Sequence, residues 1–166
     1  MDEPAQRHDL ALYLLRHAHA GDPARWHGDD DERPLSEKGR RQAEQLGRFM
    51  AQRGFAPDAV VSSTKLRAVE TAELFAAPLS VAVTTDRRLA GPLDVDTLAA
   101  VVDVAGGRRM VLVGHDPDFS ELAASLSGAA YLPLKKGAIC RLDVSLPLQP
   151  AGGILRWLLT PELVVG

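Results

Sequence analysis

Cysteine is nearly absent from the sequence: Cys140 is the only one among 166 residues, which excludes a disulfide framework within the chain and indicates a reducing compartment. Long apolar runs are also absent, and no stretch approaches the roughly 18 residues of a transmembrane helix. Residues 1–4 are acidic and lack the positive and apolar regions of a signal peptide. A formal net charge of only −3 predicts neither a nucleic acid nor a membrane as a partner. We therefore expect a soluble, cytoplasmic monomer.

The chain does contain a series of short apolar segments that alternate with helical patterns. With 46% hydrophobic side chains it can form a single domain, residues 1–166, around a substantial core that includes Cys140 and Trp157. Ser36 and Asp118 are the predicted N-caps of the first and last helices. This alternation predicts a three-layer α/β sandwich with a mainly parallel central sheet and an antiparallel edge formed by the last two strands. Strands are predicted at 10–15, 59–61, 81–83, 110–113, 139–144 and 154–159, and helices within 35–54, 66–78, 93–104 and 118–128.

Three of these strands end in polar side chains. The first ends at Arg16 and His17, the second leads into a helix with Arg67 in its first turn, and the fourth ends before His115. Parallel strands bring their carboxyl ends to one edge of the sheet, where open α/β proteins bind ligands. Guanidiniums bind phosphate oxygens bidentately, and the N-termini of the following helices attract anions. The sequence therefore predicts a binding site for a phosphoryl group.

The same segments carry a resemblance to a known family. Residues 14–18, 62–72 and 113–117 resemble the signature segments of the histidine phosphatase superfamily, which has the phosphoglycerate mutase-like fold. Residues 33–40 and 134–138, together with the short length, are similar to those of SixA-type phosphohistidine phosphatases.

The resemblance implies roles for four residues at the predicted site. His17 would attack phosphorus in line and form a phosphohistidine that water then hydrolyses, while Arg16, Arg67 and His115 would hold the phosphoryl oxygens and no cofactor would take part. The chemistry agrees, because attack needs a neutral imidazole, neighbouring cations disfavour its protonated form, and the same cations stabilise the transition state. Ala18 departs from the superfamily's usual glycine after the nucleophile, and its methyl group is expected to narrow the room for backbone approach.

The general acid that protonates the leaving group is less well defined. The candidates are Asp116, which resembles the His-Asp pair of the acid phosphatase branch, and Asp94 and Asp96 at the start of a helix. An equally open interpretation is that Asp116 orients a histidine or caps the next helix.

A nitrogen leaving group eases the need for a strong acid, so phosphohistidine on a protein, such as a histidine phosphotransfer protein, is the predicted substrate class. The alternative is a phosphatase or mutase for a small phosphomonoester such as a sugar phosphate. It is disfavoured because the chain has no long insertion to build a substrate-specific lid.

Two further functional classes remain open. A metal-dependent hydrolase would use His17, His19, His115 and Asp116 as ligands, although the fixed positive charge of the arginines opposes a metal cation there. A non-catalytic module that binds phosphorylated ligands would keep the same residues without turnover.

Several neighbouring residues are expected to lie outside the chemistry. His19 is predicted to face away from the pocket, Lys65 to be a surface cation, and Arg33 to be either a surface cation or part of the pocket mouth. Residues 20–34 are predicted to form an excursion loop over the first strand's carboxyl end, with His27 and the acidic run 29–32 simply solvated. Lys135 and Lys136 are expected to form a solvated turn whose charge would attract a phosphorylated protein.

Overall fold

The computed structural model describes residues 8–164 and contains six strands and four α-helices there. The strands are β1 (Leu10–Arg16), β2 (Ala59–Ser62), β3 (Val83–Thr85), β4 (Arg109–Gly114), β5 (Ile139–Val144) and β6 (Gly153–Leu159). The helices are α1 (Glu37–Ala51), α2 (Leu66–Ala76), α3 (Val95–Ala105) and α4 (Asp118–Ser127).

The strands form one sheet in the order β3-β2-β4-β1-β5-β6. β1 and β2 both pair parallel with β4, and β3 pairs parallel with β2. β5 pairs antiparallel with β1, and β6 antiparallel with β5, so the predicted parallel sheet with an antiparallel edge is confirmed. In this topology the carboxyl ends of β1, β2 and β4 lie at one edge of the sheet, together with the start of β5.

The sheet separates two apolar cores, as the two-residue period of a strand requires. In β1, Leu12 and Leu14 belong to the core that contains α3 and α4, whereas Tyr13 and Leu15 belong to the core that contains α1 and α2. The result is the predicted three-layer α/β sandwich. Burial of both faces explains why the central strands are almost uniformly apolar.

Three local predictions differ from the structure. β3 covers Val83–Thr85 instead of 81–83, because this edge strand pairs only with β2 and its register follows that pairing. Asp118 is the first residue of α4 and not its cap; the N-cap is Pro117, and the N–H of Ser120 is bound by Asp116. Trp157 is half-buried because β6 is an edge strand, although its ring still packs 5.9 Å from that of Tyr13.

Two segments flank the edge at which the three parallel strands end. Residues 20–34 follow β1 and contain two short 3-10 helices, Pro23–Arg25 and Asp30–Glu32. Residues 134–138 lead into β5, and the N–H of Gly137 there donates to the carbonyls of Arg16 and His17, at 3.1 and 3.0 Å. Within residues 8–164 no helix is long and apolar enough to cross a membrane.

Candidate active site

His17 lies directly after β1 and is held by the main chain. Its N–H donates to the carbonyl of Gly114 at 2.9 Å, and its ring Nδ1 lies 2.8 Å from the carbonyl of Ala18. Since a carbonyl can only accept, Nδ1 carries the proton, and the neutral ring presents its lone pair at Nε2. The side chain is only 6% exposed. This arrangement produces the tautomer that attack through Nε2 requires.

Ala18 tolerates its methyl group because that group has its own packing site. It is buried in a small apolar cluster with Ala20, Leu35 and Ala43. Its N–H donates to the hydroxyl of Thr71 on α2, at 3.1 Å. The departure from glycine is therefore accommodated by packing between the end of β1 and the two helices on that face.

Burial and positive surroundings keep the two neighbouring imidazoles neutral. Burial lowers the pKa of His17 to about 3, opposed by the hydrogen bond to Ala18 and assisted by the charges of Arg67 and Arg16. Burial, with Arg67, Lys65 and Arg16, likewise lowers the pKa of His115 to about 3. The two ring centroids are 5.2 Å apart. Both rings are therefore neutral at physiological pH.

His115 follows β4, and its ring lies beside that of His17. Its Nε2 lies 2.7 Å from the hydroxyl of Ser63, which itself accepts from the N–H of Lys65 at 3.2 Å. When that hydroxyl donates to Nε2, the proton of the neutral ring is on Nδ1. Among the described residues this buried Nδ1 has no hydrogen-bond partner. It is the kind of donor that an anionic oxygen would satisfy.

Arg16 and Arg67 complete the cationic part of the site. Arg16 donates from Nη1 to the carbonyl of Leu134 at 2.8 Å, and Arg67 donates from Nη1 to the carbonyl of Asp30 at 2.7 Å. Each guanidinium is thus fixed by a backbone oxygen, while the Nε of each is buried without a partner in the described part of the chain. The structure brings His17, Arg16, Arg67 and His115 together, as the sequence predicts.

Asp116 is fully engaged by neighbouring donors. One carboxylate oxygen accepts from the N–H of Ser120 at 3.0 Å, and the other accepts from its hydroxyl at 2.6 Å. The second oxygen also lies 3.3 Å from Nη1 of Arg16. The contacts with Ser120 match the interpretation in which Asp116 caps the next helix, and the side chain that it contacts besides is Arg16 and not a histidine. Asp94 is the N-cap of α3, where it accepts from Thr97, and Asp96 lies in the first turn of that helix.

The acidic run in residues 20–34 is exposed, as predicted, but Asp30 within it also contacts two arginines. The Asp30 carboxylate accepts from Nε of Arg33 at 2.9 Å and lies 3.2 Å from Nη2 of Arg67. Arg33 is itself buried and donates to the carbonyl of Ala20 at 2.7 Å. Sequence reasoning missed Asp30 because nothing local distinguishes it within four consecutive acidic residues. Only the fold brings it to Arg67, 37 positions later.

His19 contacts the start of α1. His19 Nδ1 lies 2.6 Å from the hydroxyl of Ser36, the confirmed N-cap of α1. Asp116 is bound to Ser120 and Arg16, so the four ligands of the metal hypothesis are not gathered. Within residues 8–164 no group of three or more histidine, cysteine or acidic side chains is arranged to hold a metal ion.

The two lysines before β5 differ from each other. Lys135 is exposed and pairs with Glu162 at 3.4 Å, as expected for a solvated turn. Lys136 is half-buried, and burial together with Arg16, Arg33 and Arg67 lowers its pKa, while Asp22 acts in the opposite direction. Lys136 is adjacent in the chain to Gly137, whose N–H binds the carbonyls of Arg16 and His17. Lys136 lies in a turn, as predicted, but it is half-buried where the sequence predicts a solvated side chain.

A neutral imidazole among guanidiniums, at the carboxyl edge of a mainly parallel sheet, is an arrangement that suits an α/β protein that binds a phosphoryl group. The family model described as histidine phosphatase superfamily (branch 1) matches residues 12–91, and the chain belongs to that superfamily. An uncharacterised protein from Picosynechococcus sp. is 31% identical over 140 residues, which are 80% of this chain and 84% of the relative.

Solved structures have the same phosphoglycerate mutase-like fold. The protein histidine phosphatase SixA complexed with tungstate matches with a TM-score of 0.80 at 19% identity, over 94% of this chain and 100% of that one. The putative phosphohistidine phosphatase SixA from Nakamurella multipartitia matches with 0.74 at 26% identity, over 92% and 96%. A putative alpha-ribazole-5'-P phosphatase from Escherichia coli matches with 0.71 at 17% identity, over 92% and 97%. The fold thus also occurs in a protein named for a small phosphorylated substrate.

Proposed function

We propose that this phosphatase acts through a covalent phosphohistidine on His17. The observation that carries the proposal is the hydrogen bond from Nδ1 of His17 to Ala18, which leaves the lone pair of a neutral ring at Nε2. Nε2 attacks phosphorus in line, the leaving group departs from the opposite side, and water then cleaves the new P–N bond. Arg16, Arg67 and His115 donate to the phosphoryl oxygens, where charge accumulates in the transition state.

We further propose that the substrate is phosphohistidine on a protein. The two carboxylates next to the guanidiniums, Asp116 and Asp30, are committed as hydrogen-bond acceptors. The hydrogen bond from Arg33, with the charge of Arg67, also keeps the pKa of Asp30 below its usual value. With these two carboxylates of residues 8–164 paired with arginines, the site suits a leaving imidazole, which departs neutral when its other nitrogen is protonated, better than it suits an alkoxide.

The intermediate is tested by rapid quenching of a reaction with ³²P-labelled substrate at alkaline pH, followed by peptide mapping. We expect the label on His17, and none in His17→Asn, whose turnover should fall by about 10³-fold or more. His19→Asn is the matched control, because His19 lies two residues away and contacts Ser36, and it should still be labelled. Label on any other residue, or turnover without a labelled intermediate, would refute the mechanism.

The substrate class is tested by comparing kcat/KM on a phosphohistidine-containing protein with kcat/KM on a panel of sugar phosphates and other phosphomonoesters. We expect the phosphoramidate to be hydrolysed faster, and activity to survive a chelator. Faster turnover of a small ester would replace the substrate proposal with the phosphomonoester alternative and leave the His17 intermediate intact. Loss of activity with the chelator would favour the metal-dependent class, and binding without turnover would favour the non-catalytic module.

A further inference from the structure

Lys136 is held against the end of β1 by the main chain on both sides of it. On one side, the carbonyl of Leu134 accepts from the guanidinium of Arg16 at 2.8 Å. On the other, the N–H of Gly137 donates to the carbonyls of Arg16 and His17 at 3.1 and 3.0 Å. Lys136 is therefore adjacent in the chain to the residue that binds the backbone of the nucleophile, and its Cα is fixed at the mouth of the site.

The cations around this mouth are mostly matched by carboxylates. Arg16 pairs with Asp116, and Lys65 pairs with Asp31 at 3.4 Å. Arg33 and Arg67 differ, because they share the single carboxylate of Asp30. One positive charge therefore stays uncompensated in the body of the site. A phosphoryl group carries a charge of about −1.5 to −2 near neutral pH, so a second positive charge is needed to balance it.

Lys136 is the group available to supply that charge. It forms no ion pair among residues 8–164, in contrast to Lys135 beside it, which is exposed and bound to Glu162. Its half-buried side chain starts from the short segment between Leu134 and Gly137, both of which bind Arg16, and Asp22 is the one carboxylate whose charge counters those of the guanidiniums on its ammonium group. Holding an unpaired ammonium group among guanidiniums is unfavourable unless an anion binds between them.

We propose that Lys136 is a further substrate-binding residue, whose ammonium group donates to a non-bridging oxygen of the phosphoryl group held by Arg16, Arg67 and His115. The inference rests on the proposed phosphoryl site at His17 and adds to it a residue from the β5 side. Lys136 binds the phosphoryl group itself and not the polypeptide around it. Its contribution is therefore the same for a protein substrate and for free phosphate.

The test is calorimetric titration of inorganic phosphate into the parent protein, Lys136→Ala, Lys136→Gln, Lys136→Arg and Lys135→Ala. We expect the Kd to rise about tenfold in Lys136→Ala and Lys136→Gln, the size of a charge-assisted hydrogen bond. Lys136→Arg should recover most of the affinity. Lys135→Ala removes one positive charge from the neighbouring residue and should change Kd by less than about twofold. This variant controls for the effect of net charge on phosphate binding.

The possible results separate this inference from the proposed function. An unchanged phosphate Kd in Lys136→Ala and Lys136→Gln, with normal melting curves, would overturn it, as would a loss of affinity confined to the protein substrate. An equal loss of phosphate affinity in Lys135→Ala would show that any nearby positive charge has the same effect, and it would overturn the inference. A parent protein that does not bind phosphate would overturn the inference as well. If phosphate binding depends on Lys136 but His17 is never labelled, the Lys136 inference stands and the phosphohistidine mechanism fails.

Discussion

Asp116 links three parts of the active site through one carboxylate. It accepts from both the N–H and the hydroxyl of Ser120, and that hydroxyl in turn accepts from the N–H of Leu134 at 2.8 Å. The carbonyl of Leu134 binds Arg16, which also faces Asp116 at 3.3 Å. We infer that Asp116 is a positioning residue that fixes Arg16, and that it does not deliver the proton. The sequence prediction of Asp116 as the acid remains untested.

Leaving-group dependence separates the two roles of Asp116. If Asp116 positions Arg16, Asp116→Asn should lower kcat/KM by about tenfold for every substrate, because the loss is a weakened guanidinium contact to the phosphoryl group. The measurement is kcat/KM for a series of aryl and alkyl phosphates whose leaving groups differ in pKa. A loss that grows steeply with leaving-group pKa, and is small for p-nitrophenyl phosphate, would identify Asp116 as the general acid instead. Asp94→Asn is the control. It should change neither kcat/KM nor its dependence on the leaving-group pKa, since Asp94 caps α3.

At the scale of secondary structure, the start of α1 and the end of β1 behave as one unit. The carbonyl of His19 accepts from both the N–H and the hydroxyl of Ser36, at 3.0 and 3.1 Å, and the same hydroxyl caps the N–H of Gly39 at 3.1 Å. A Cβ added at Gly39 would collide with that carbonyl of His19. Backbone atoms cannot give way as a flexible side chain can, so the helix requires glycine there.

Gly39→Ala should therefore destabilise the protein although alanine is the better helix former. We expect the free energy of unfolding to fall by about 1–3 kcal/mol, the usual size of an overpacking defect. Urea unfolding measures it, and Arg48→Ala on the exposed side of α1 is the control, which should stay within about 0.5 kcal/mol of the parent. Alanine at position 39 without loss of stability would mean that α1 and the chain after β1 are not packed this closely.

The element scale also explains which features could be predicted from the sequence. Strands buried on both faces, such as β1 and β4, are continuous apolar runs, and the polar residues after them, His17 and His115, mark the edge of the sheet. The register of β3 and the cap of α4 could not be predicted, because each depends on a partner outside the local sequence. The environments of Asp30 and Lys136 could not be predicted either. Asp30 contacts Arg67, and the chain at Lys136 lies against Arg16, and both arginines come from distant parts of the sequence.

At the scale of the whole molecule, the fold keeps His17, the proposed nucleophile, in its neutral form, and this lowers the stability of the native protein in acid. His17 and His115 are 6% and 7% exposed, and burial holds the pKa of each at about 3, against 6.5 for a free side chain. Between these pH values the unfolded chain binds protons at both histidines and the native protein does not. The contribution of these two histidines to the free energy of unfolding is therefore fully present above about pH 6.5 and is lost as the pH falls toward 3. The lowered pKa of His19 acts in the same direction.

Acidification from pH 7.5 to pH 5 should thus weaken the parent protein by about 2 kcal/mol for each of the two buried histidines. Carboxylates such as Asp30 and Asp143, whose pKa values are lowered by their arginine partners, add to the loss only below about pH 4, so the pH 5 value isolates the histidines.

Urea unfolding of the parent and of the double variant His17→Asn/His115→Asn at both pH values measures the difference, with His27→Asn in the exposed loop as the control. The double variant should lose most of the pH dependence and the His27 variant should keep it. An equal slope in all three proteins would mean that His17 and His115 are protonated in the native state at pH 5, so that burial does not hold their pKa values near 3.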